Sequence, residues 1–243
     1  MRADIMKDKI VAWIRKQVRD AGAKGIVLGL SGGIDSAVVC ALSKEAVGRE
    51  NVLGLFMPCH SHSQDLKDAK AVAGKLKIRT RLVDLCGVYD SFLKVLPRAS
   101  NLAVVNLRPR LRMAALYYFA NKFNYLVCGT GNKSELMAGY FTKYGDGGVD
   151  ILPIAGLLKK DVRGLAKELN IPAAIITKAP TAGLWPGQTD EGEMGITYNE
   201  LDDILYRLEH KQKQSAGKEK VAKVKRMIAR SKHKRNMPEI CGI

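Results

Sequence analysis

Two features that the sequence lacks narrow its class. None of its cysteines stands in a C-x-x-C pair, so the sequence indicates neither a zinc site nor a disulfide framework. It indicates buried thiols in a reducing compartment. The cysteines are Cys40, Cys59, Cys86, Cys128 and Cys241. No apolar run approaches the roughly 20 residues of a membrane span, and the N-terminal residues have no apolar signal core. We therefore expect a cytoplasmic protein with no membrane segment.

Acidic residues are also few. The 24 Asp and Glu face 40 Lys and Arg, which gives a formal net charge of +16. Such an excess favours a polyanionic partner, either nucleic acid or a phosphorylated small molecule. Much of it lies in a basic helical tail that begins at about residue 210. Because a solvated helix face explains most such runs, the tail is weak evidence for RNA binding.

The 243 residues are enough for one well-buried α/β domain over 1–243, and nothing in the sequence demands two. Strands are predicted at 26–30, 51–57, 78–85 and 125–128, and helices at 4–20, from 34, and at 64–76, 88–96, 101–122, 159–169, 198–209 and 218–231. This alternation indicates βαβ units. We therefore expect an α/β fold with a doubly wound, mostly parallel sheet and helices on both faces.

Residues 25–39 pass from a buried strand to a helix across a glycine turn. The apolar run 26–30 is followed by Ser-Gly-Gly at 31–33, and helical spacing of apolar residues begins at Ile34. Such a turn directs backbone N–H groups and the positive end of a helix dipole at one point, which suits phosphate. It lacks the lysine of the G-x-x-x-x-G-K-[ST] loop.

Asp35 stands where that lysine would be. A carboxylate inside an anion cradle is repulsive unless a cation lies between, so Asp35 predicts Mg²⁺ bridging the carboxylate and the phosphates. The alternative is that Asp35 and Ser36 only favour the first helical turn.

Three loops should be neighbours, because ligand sites in parallel sheets lie beyond the carboxyl ends of the strands. They are 31–36, 58–62 and the segment after 125–128. In the third, Gly-Thr-Gly at 129–131 leads into a helix with Glu135 in its first turn, so Glu135 becomes a second candidate magnesium ligand. An ordinary helix-dipole role is its alternative.

Other polar stretches are open to two interpretations. The cluster Cys59, His60 and His62 has no fourth ligand at zinc spacing, so a substrate-side loop is favoured. Arg108, Arg110 and Arg112 form a solvated face or reach a phosphate or carboxylate. The glycine-rich segment 140–150 is predicted to be a functional loop, and 181–197 a long polar loop that acts as a mobile lid around residues 185–186.

The ordered motifs carry a family resemblance. Residues 31–36, Ser-Gly-Gly-Ile-Asp-Ser, resemble the pyrophosphate loop of the ATP pyrophosphatases, which split ATP between its α and β phosphates. Six later stretches resemble the ammonia-dependent NAD synthetases: 141–148, 152–159, 178–181, 190–191, 195–203 and 233–235. The resemblance implies an adenine nucleotide alpha hydrolase-like fold and a homodimer. It also implies a ligase in which ATP adenylates the carboxylate of deamido-NAD, pyrophosphate leaves, and ammonia displaces AMP to give NAD.

The same resemblance implies a set of site residues. For ATP they are Gly29, Leu30, Ser31, Gly32, Gly33, Ile34, Asp35, Ser36, Thr130, Lys159 and Thr181; for deamido-NAD they are Arg110, Lys143, Asp150, His233 and Lys234; for Mg²⁺ they are Asp35 and Glu135. No side chain needs to be a covalent nucleophile, because the substrate carboxylate attacks phosphorus. The chain departs from the family at 131–132, where Gly-Asn replaces an acid and a histidine.

Three alternatives remain. A transfer-RNA-modifying pyrophosphatase would share the phosphate loop, but it has no reason to match the segment 143–150. A purely nucleic-acid-binding protein would leave Asp35 unexplained, and a kinase would release ADP in place of AMP.

Glutamine-dependent relatives carry a further domain with a nucleophilic cysteine. These 243 residues leave no room for such a domain, so we expect ammonia as the nitrogen source.

Overall fold

The computed structural model describes residues 2–181 and 187–242. Within these ranges one parallel sheet is present, with the strand order β3-β2-β1-β4. Its strands are β1 Gly25–Gly29, β2 Val52–Phe56, β3 Arg79–Leu82 and β4 Tyr125–Val127. Each is short and close to its predicted position.

Helices connect the strands. They are α1 Ala3–Asp20, α2 Ile34–Val47, α3 Ser63–Leu76, α4 Cys86–Val95, α5 Asn101–Val105, α6 Leu107–Phe123, α7 Lys133–Ala138, α8 Lys159–Glu168, α9 Ala173–Thr177, α10 Asp190–Met194, α11 Tyr198–Glu209, α12 Lys218–Arg230 and α13 Lys232–Arg235. No helix of the described part is both long and apolar enough to cross a membrane.

The sheet is covered on both faces, as the alternation of its side chains requires. On β1, Ile26 and Leu28 pack into a core with α1, α2, α3 and α8. Val27 points the other way and packs with α4 and α6. The predicted α/β architecture is confirmed.

A third apolar cluster lies beside these two. It joins α7, α10, α11 and α12 and contains the fully buried Tyr198, Leu201 and Val224. The basic residues from 218 to 235 are therefore carried by two helices, of which α12 packs on the rest of the chain. The single-domain organisation stays a prediction.

Three helical predictions need correction. The predicted helix 101–122 is broken at Asn106, because Pro109 has no N–H to donate to the carbonyl of Val105; the restart at Leu107 places this proline in the first turn of α6. The predicted loop 181–197 contains α10, and α9 was not predicted at all, because five-residue helices are too short for a periodic signal. Residues 185–186 lie outside the described part.

The strand order places the site. From β1 the chain moves to β2 on one side, whereas β4 joins β1 on the other side. The loops after β1 and β4 therefore diverge, and a crevice opens between them at the carboxyl edge of the sheet. In doubly wound folds this topological switch point is where ligands bind.

Candidate active site

The loop after β1 is held closed by its own hydroxyl groups. The hydroxyl oxygens of Ser31 and Ser36 are 3.1 Å apart, and the backbone N–H of Gly33 donates to Ser31 Oγ at 3.2 Å. Ser36 Oγ in turn donates to the carbonyl of Gly33 at 3.0 Å. The turn is thus preorganised at the N-terminus of α2, where the helix dipole favours an anion.

Gly32 is required in this loop for two reasons. Its φ is +80°, a backbone angle that residues with a side chain rarely adopt. A Cβ atom at this position would also lie 2.4 Å from the carbonyl oxygen of Asp65. The loop therefore packs directly on the first turn of α3.

The centre of the site is a lysine between two carboxylates. The ammonium of Lys159 lies 2.5 Å from Asp35 Oδ2 and 2.9 Å from Glu135 Oε1. Only 2% of the lysine side chain is exposed, against 17% for Asp35 and 16% for Glu135. The structure therefore brings together the loops after β1 and β4, as the sequence predicts, and adds a cation from the start of α8.

Asn132 joins these loops and was not identified as a functional residue from the sequence. It is fully buried, and its Nδ2 donates to Asp35 Oδ1 at 2.9 Å. Its Oδ1 accepts from the backbone N–H of Glu135, and the Glu135 carboxylate accepts from the backbone N–H of Asn132. This is a capping box at the start of α7. Its signal was readable, since Asn at the N-cap with Glu three residues later predicts this motif.

The neighbouring charges shift the pKa values of Glu135 and Lys159. Burial, and then the neighbouring Asp35, raise the pKa of Glu135 to about 7. Burial alone would lower the pKa of Lys159, but the two carboxylates outweigh it and the net direction is upward. Lys159 therefore stays charged and offsets one of the two negative charges in this conformation.

A second layer of polar groups supports the lysine. The ring of Tyr198 lies 4.9 Å below the Lys159 ammonium, and its hydroxyl donates to Asp190 Oδ2 at 2.9 Å. Glu135 Oε1 lies 3.4 Å from the same hydroxyl. Burial raises the pKa of Asp190, whose Oδ1 has no hydrogen-bond partner among the described residues. Neither Asp190 nor Tyr198 was identified as a site residue from the sequence. Within the predicted helix 198–209, the position of Tyr198 indicates only a core residue.

The structure also gathers three of the residues expected at deamido-NAD. The Lys143 ammonium donates to the carbonyl of His233 at 2.6 Å. The Lys234 ammonium donates to the carbonyls of Gly139 and Phe141, each at 2.9 Å. The loop 140–150 is therefore in direct contact with the C-terminal basic segment.

Asp150 lies at the other end of that loop. Its Oδ1 accepts from the hydroxyl of Tyr117 at 2.9 Å, and its Oδ2 accepts from the backbone N–H of Val127 at 2.8 Å. Burial, and then Asp150, raise the pKa of Tyr117. Asp150 is thus fixed at the end of β4.

Three further predicted residues lie on a loop, on a helix and beside the residues that the structure does not describe. Thr130 follows β4 and is half-buried, and Arg110 is exposed on α6. Thr181 is exposed next to residues 182–186, which lie outside the described part.

The structure also gives contacts for two of the polar stretches that were open to two interpretations. Arg112 donates to the carbonyl of Met57 and to Ser61 Oγ, so it holds the loop after β2. His60 pairs with Asp90 at 2.8 Å, while Cys59 is buried. Within the described residues no group of three or more His, Cys, Asp or Glu could hold a metal ion.

Comparison with known proteins agrees with this geometry. The chain matches the NAD synthase family over residues 6–238. It is 48% identical over 238 residues to the NH(3)-dependent NAD(+) synthetase of Carboxydothermus hydrogenoformans, covering 96% of this chain and 95% of that protein. Two solved structures are similar to this chain, and each aligns over 100% of both chains. An NMN synthetase from Francisella tularensis has a TM-score of 0.93 and 36% identity. An NH3-dependent NAD synthetase from Campylobacter jejuni has a TM-score of 0.87 and 32% identity. The chain therefore belongs to the NAD synthase family.

Proposed function

We propose that the protein is a ligase that forms NAD from deamido-NAD, ATP and ammonia. The observation that carries the proposal is the convergence of Asp35, Glu135 and Lys159 beyond the loop after β1. Two acids and a lysine at a phosphate cradle suit the transfer of an adenylyl group, where charge develops on a leaving pyrophosphate.

The reaction has two balanced steps. An oxygen of the nicotinate carboxylate attacks the α phosphorus of ATP, and the bond from that phosphorus to the bridging oxygen of pyrophosphate breaks. Ammonia then attacks the carboxyl carbon and loses a proton, and AMP leaves with one carboxylate oxygen. The products are NAD, AMP and pyrophosphate.

The protein's part is to hold these groups in place. The hydroxyls of Ser31 and Ser36 and the backbone N–H groups at the start of α2 bind the phosphates, with Thr130, Lys159 and Thr181 completing the ATP site. Lys143, Asp150, Arg110 and the segment with His233 and Lys234 bind deamido-NAD.

Asp35 and Glu135 are the residues that would hold Mg²⁺. Both offer hard oxygen donors, and two carboxylates plus substrate phosphates is the usual way in which proteins bind this ion. Bound there, the ion would neutralise charge on the phosphates. The Lys159 ammonium lies on the same carboxylate oxygens, so we propose that it leaves at least one of them, and turns toward a phosphate, when ATP binds with its metal.

A second substrate is favoured by one observation. The Francisella tularensis protein, described as an NMN synthetase, matches this chain with a TM-score of 0.93 over its full length. The same amidation applied to nicotinic acid mononucleotide would give NMN. We place deamido-NAD first, because the curated relatives are named NAD(+) synthetases. Nothing in these relatives supports action on transfer RNA.

We also propose a homodimer. α4 and α5 carry exposed apolar side chains: Val88, Phe92, Val95 and Leu102 are 53%, 43%, 76% and 63% exposed. A shallow cleft of about 600 Å³ lies along α4. A second copy of the chain would cover these side chains, and Val95→Glu should give monomers in analytical ultracentrifugation. The cytoplasmic location stays a prediction from the sequence.

The proposal is tested by product analysis with both substrates. Purified protein is incubated with ATP, Mg²⁺ and ammonium, and with either deamido-NAD or nicotinic acid mononucleotide. We expect NAD and AMP in equal amounts, with kcat/KM for deamido-NAD the higher of the two. ADP as the nucleotide product would refute the proposal, and a higher kcat/KM for the mononucleotide would replace its substrate.

A further inference from the structure

The last described helix directs two of its basic side chains, Lys234 and Arg235, onto the protein. Arg235 Nη1 donates to the carbonyl of Leu136 at 2.9 Å, and Nη2 donates to the carbonyl of Ile228 at 2.8 Å. The guanidinium also donates to Ser231 Oγ. One planar group therefore joins the C-terminus of α7, the C-terminus of α12 and the start of α13.

The neighbouring lysine reinforces this junction. Lys234 donates to the carbonyls of Gly139 and Phe141, and its ammonium lies 5.4 Å from the ring of Phe141. Carbonyl groups at a helix C-terminus lack partners within the helix, and cations are favourable there. Burial lowers the pKa of Lys234, as expected for an ammonium held against the protein.

Ser231 also lies too close to the end of α7 for any residue larger than glycine at position 139. Gly139 has φ +73°, and a Cβ atom there would lie 2.2 Å from Ser231 Cβ. The segment 231–235 is therefore fitted onto the end of α7, and it does not lie loosely on the surface.

α7 is short, and it links this junction to the catalytic centre. The helix has six residues, with Asn132 and Glu135 at its start and Gly139 at its C-cap. The Glu135 end is fixed by the capping box and Lys159. Arg235 holds the opposite end, beside the bond from Lys143 to the carbonyl of His233.

We propose that Arg235 is a positioning residue for the deamido-NAD site. It holds residues 231–235 against α7, so that His233, Lys234 and the loop carrying Lys143 keep the geometry that the dinucleotide needs. The inference rests on the proposed function. Because the Glu135 end of α7 is secured independently, loss of Arg235 should impair the use of deamido-NAD far more than the use of ATP.

A charge-matched control separates this role from simple attraction of an anionic substrate. Lys232 is exposed on the same short helix. Arg235→Met and Lys232→Met each remove one positive charge at nearly the same place. If the segment acted only through its charge, the two variants would behave alike.

The experiment compares wild type, Arg235→Met, Arg235→Lys and Lys232→Met in the presence of saturating ammonium. Steady-state kinetics are measured with deamido-NAD varied and with ATP varied, and the Tm of each variant is recorded. We expect kcat/KM for deamido-NAD to fall about 10-fold to 100-fold in Arg235→Met, the scale of a displaced substrate-positioning group. KM for ATP should stay within about 2-fold, Arg235→Lys should recover part of the loss, and Lys232→Met should match wild type.

Each other outcome overturns the inference in a recognisable way. Equal losses in Arg235→Met and Lys232→Met would mean that only charge matters. A lower kcat with unchanged KM for both substrates, together with a lower Tm, would mean a merely structural role. If Arg235→Met fails to fold, Arg235→Lys carries the comparison, and wild-type KM for deamido-NAD in that variant overturns the inference. A wild-type protein that does not turn over deamido-NAD would refute the proposed function itself, and the inference with it.

Discussion

The ammonium of Lys159 lies 2.5 Å from a carboxylate oxygen of Asp35, although 124 positions separate the two residues in the sequence. The contact joins the phosphate loop to the start of α8, across the crevice between β1 and β4. In this conformation the lysine lies where the proposed function requires a metal ion and phosphates.

The first prediction concerns the two carboxylates. Asp35→Asn and Glu135→Gln should each lower kcat/KM by about 100-fold or more, because each removes a negative charge that would hold Mg²⁺ against the ATP phosphates and that binds Lys159. Steady-state assays at saturating Mg²⁺ measure the loss. Glu168→Gln, at the exposed end of α8, is the control and should have no effect. Near-normal turnover in either carboxylate variant would remove that residue from the site.

The second prediction concerns the lysine as an internal cation. Without ATP, Lys159→Met should bind Mn²⁺ at least about 10-fold more tightly than wild type, because the ammonium no longer competes with the metal ion for the two carboxylates. A charge at this distance from a carboxylate shifts its pKa by about one unit or more, which corresponds to a factor of about 10 or more in affinity. Electron paramagnetic resonance of free Mn²⁺ gives the dissociation constant. Lys160→Met is the matched control, because the Lys160 ammonium lies over the ring of Tyr206. Equal Mn²⁺ affinities in the two variants would contradict competition between lysine and metal.

The third prediction separates two adjacent tyrosines. Tyr117→Phe should raise KM for deamido-NAD by about 10-fold, because a hydrogen bond to a charged group is worth roughly 1.5–3 kcal/mol and Asp150 loses one. Tyr118→Phe should leave KM unchanged, since this side chain is 62% exposed. Asp150→Asn and Lys143→Met should share the defect toward deamido-NAD. A Tyr117→Phe variant impaired only toward ATP would refute the assignment of Asp150.

The fourth prediction compares two glycines with nearly the same φ. Gly48 has φ +81° and open space where a Cβ atom would lie, whereas Gly32 has φ +80° and the Asp65 carbonyl 2.4 Å from that position. Gly48→Ala should cost about 1–3 kcal/mol in the free energy of unfolding, from backbone strain alone. Gly32→Ala should cost more and should abolish ATP binding. Urea unfolding and ATP titration check both, and equal costs with intact ATP binding would refute the close packing of the loop on α3.

The sequence predicted the parts of this site that follow from local patterns and topology. The change of period at Ile34 located the loop and α2, and the alternation of strands and helices placed Asp35 beside Glu135. Both inferences need only short-range periodicity and the rule for parallel sheets.

What the sequence did not predict depends on long-range contacts. A lysine that begins a helix is usually exposed, so nothing local indicated that Lys159 is buried between two acids. The donors of Lys234 and Arg235 are directed at backbone carbonyls of distant segments, and such partners carry no side-chain signal. The contact between Asn132 and Glu135 could have been predicted, because an asparagine followed three residues later by a glutamate is the sequence pattern of a capping box.

The nitrogen source and the route of the carboxylate oxygen test the account most directly. Deamido-NAD labelled with ¹⁸O in its carboxylate is incubated with ATP, Mg²⁺ and ¹⁵N-ammonium, and in parallel with glutamine free of ammonia. We expect ¹⁵N in NAD, one ¹⁸O atom in AMP, a rate that rises with pH through neutrality as free ammonia increases, and no reaction of this chain with glutamine. Labelled oxygen in pyrophosphate or phosphate, or AMP without the label, would contradict adenylation of the carboxylate.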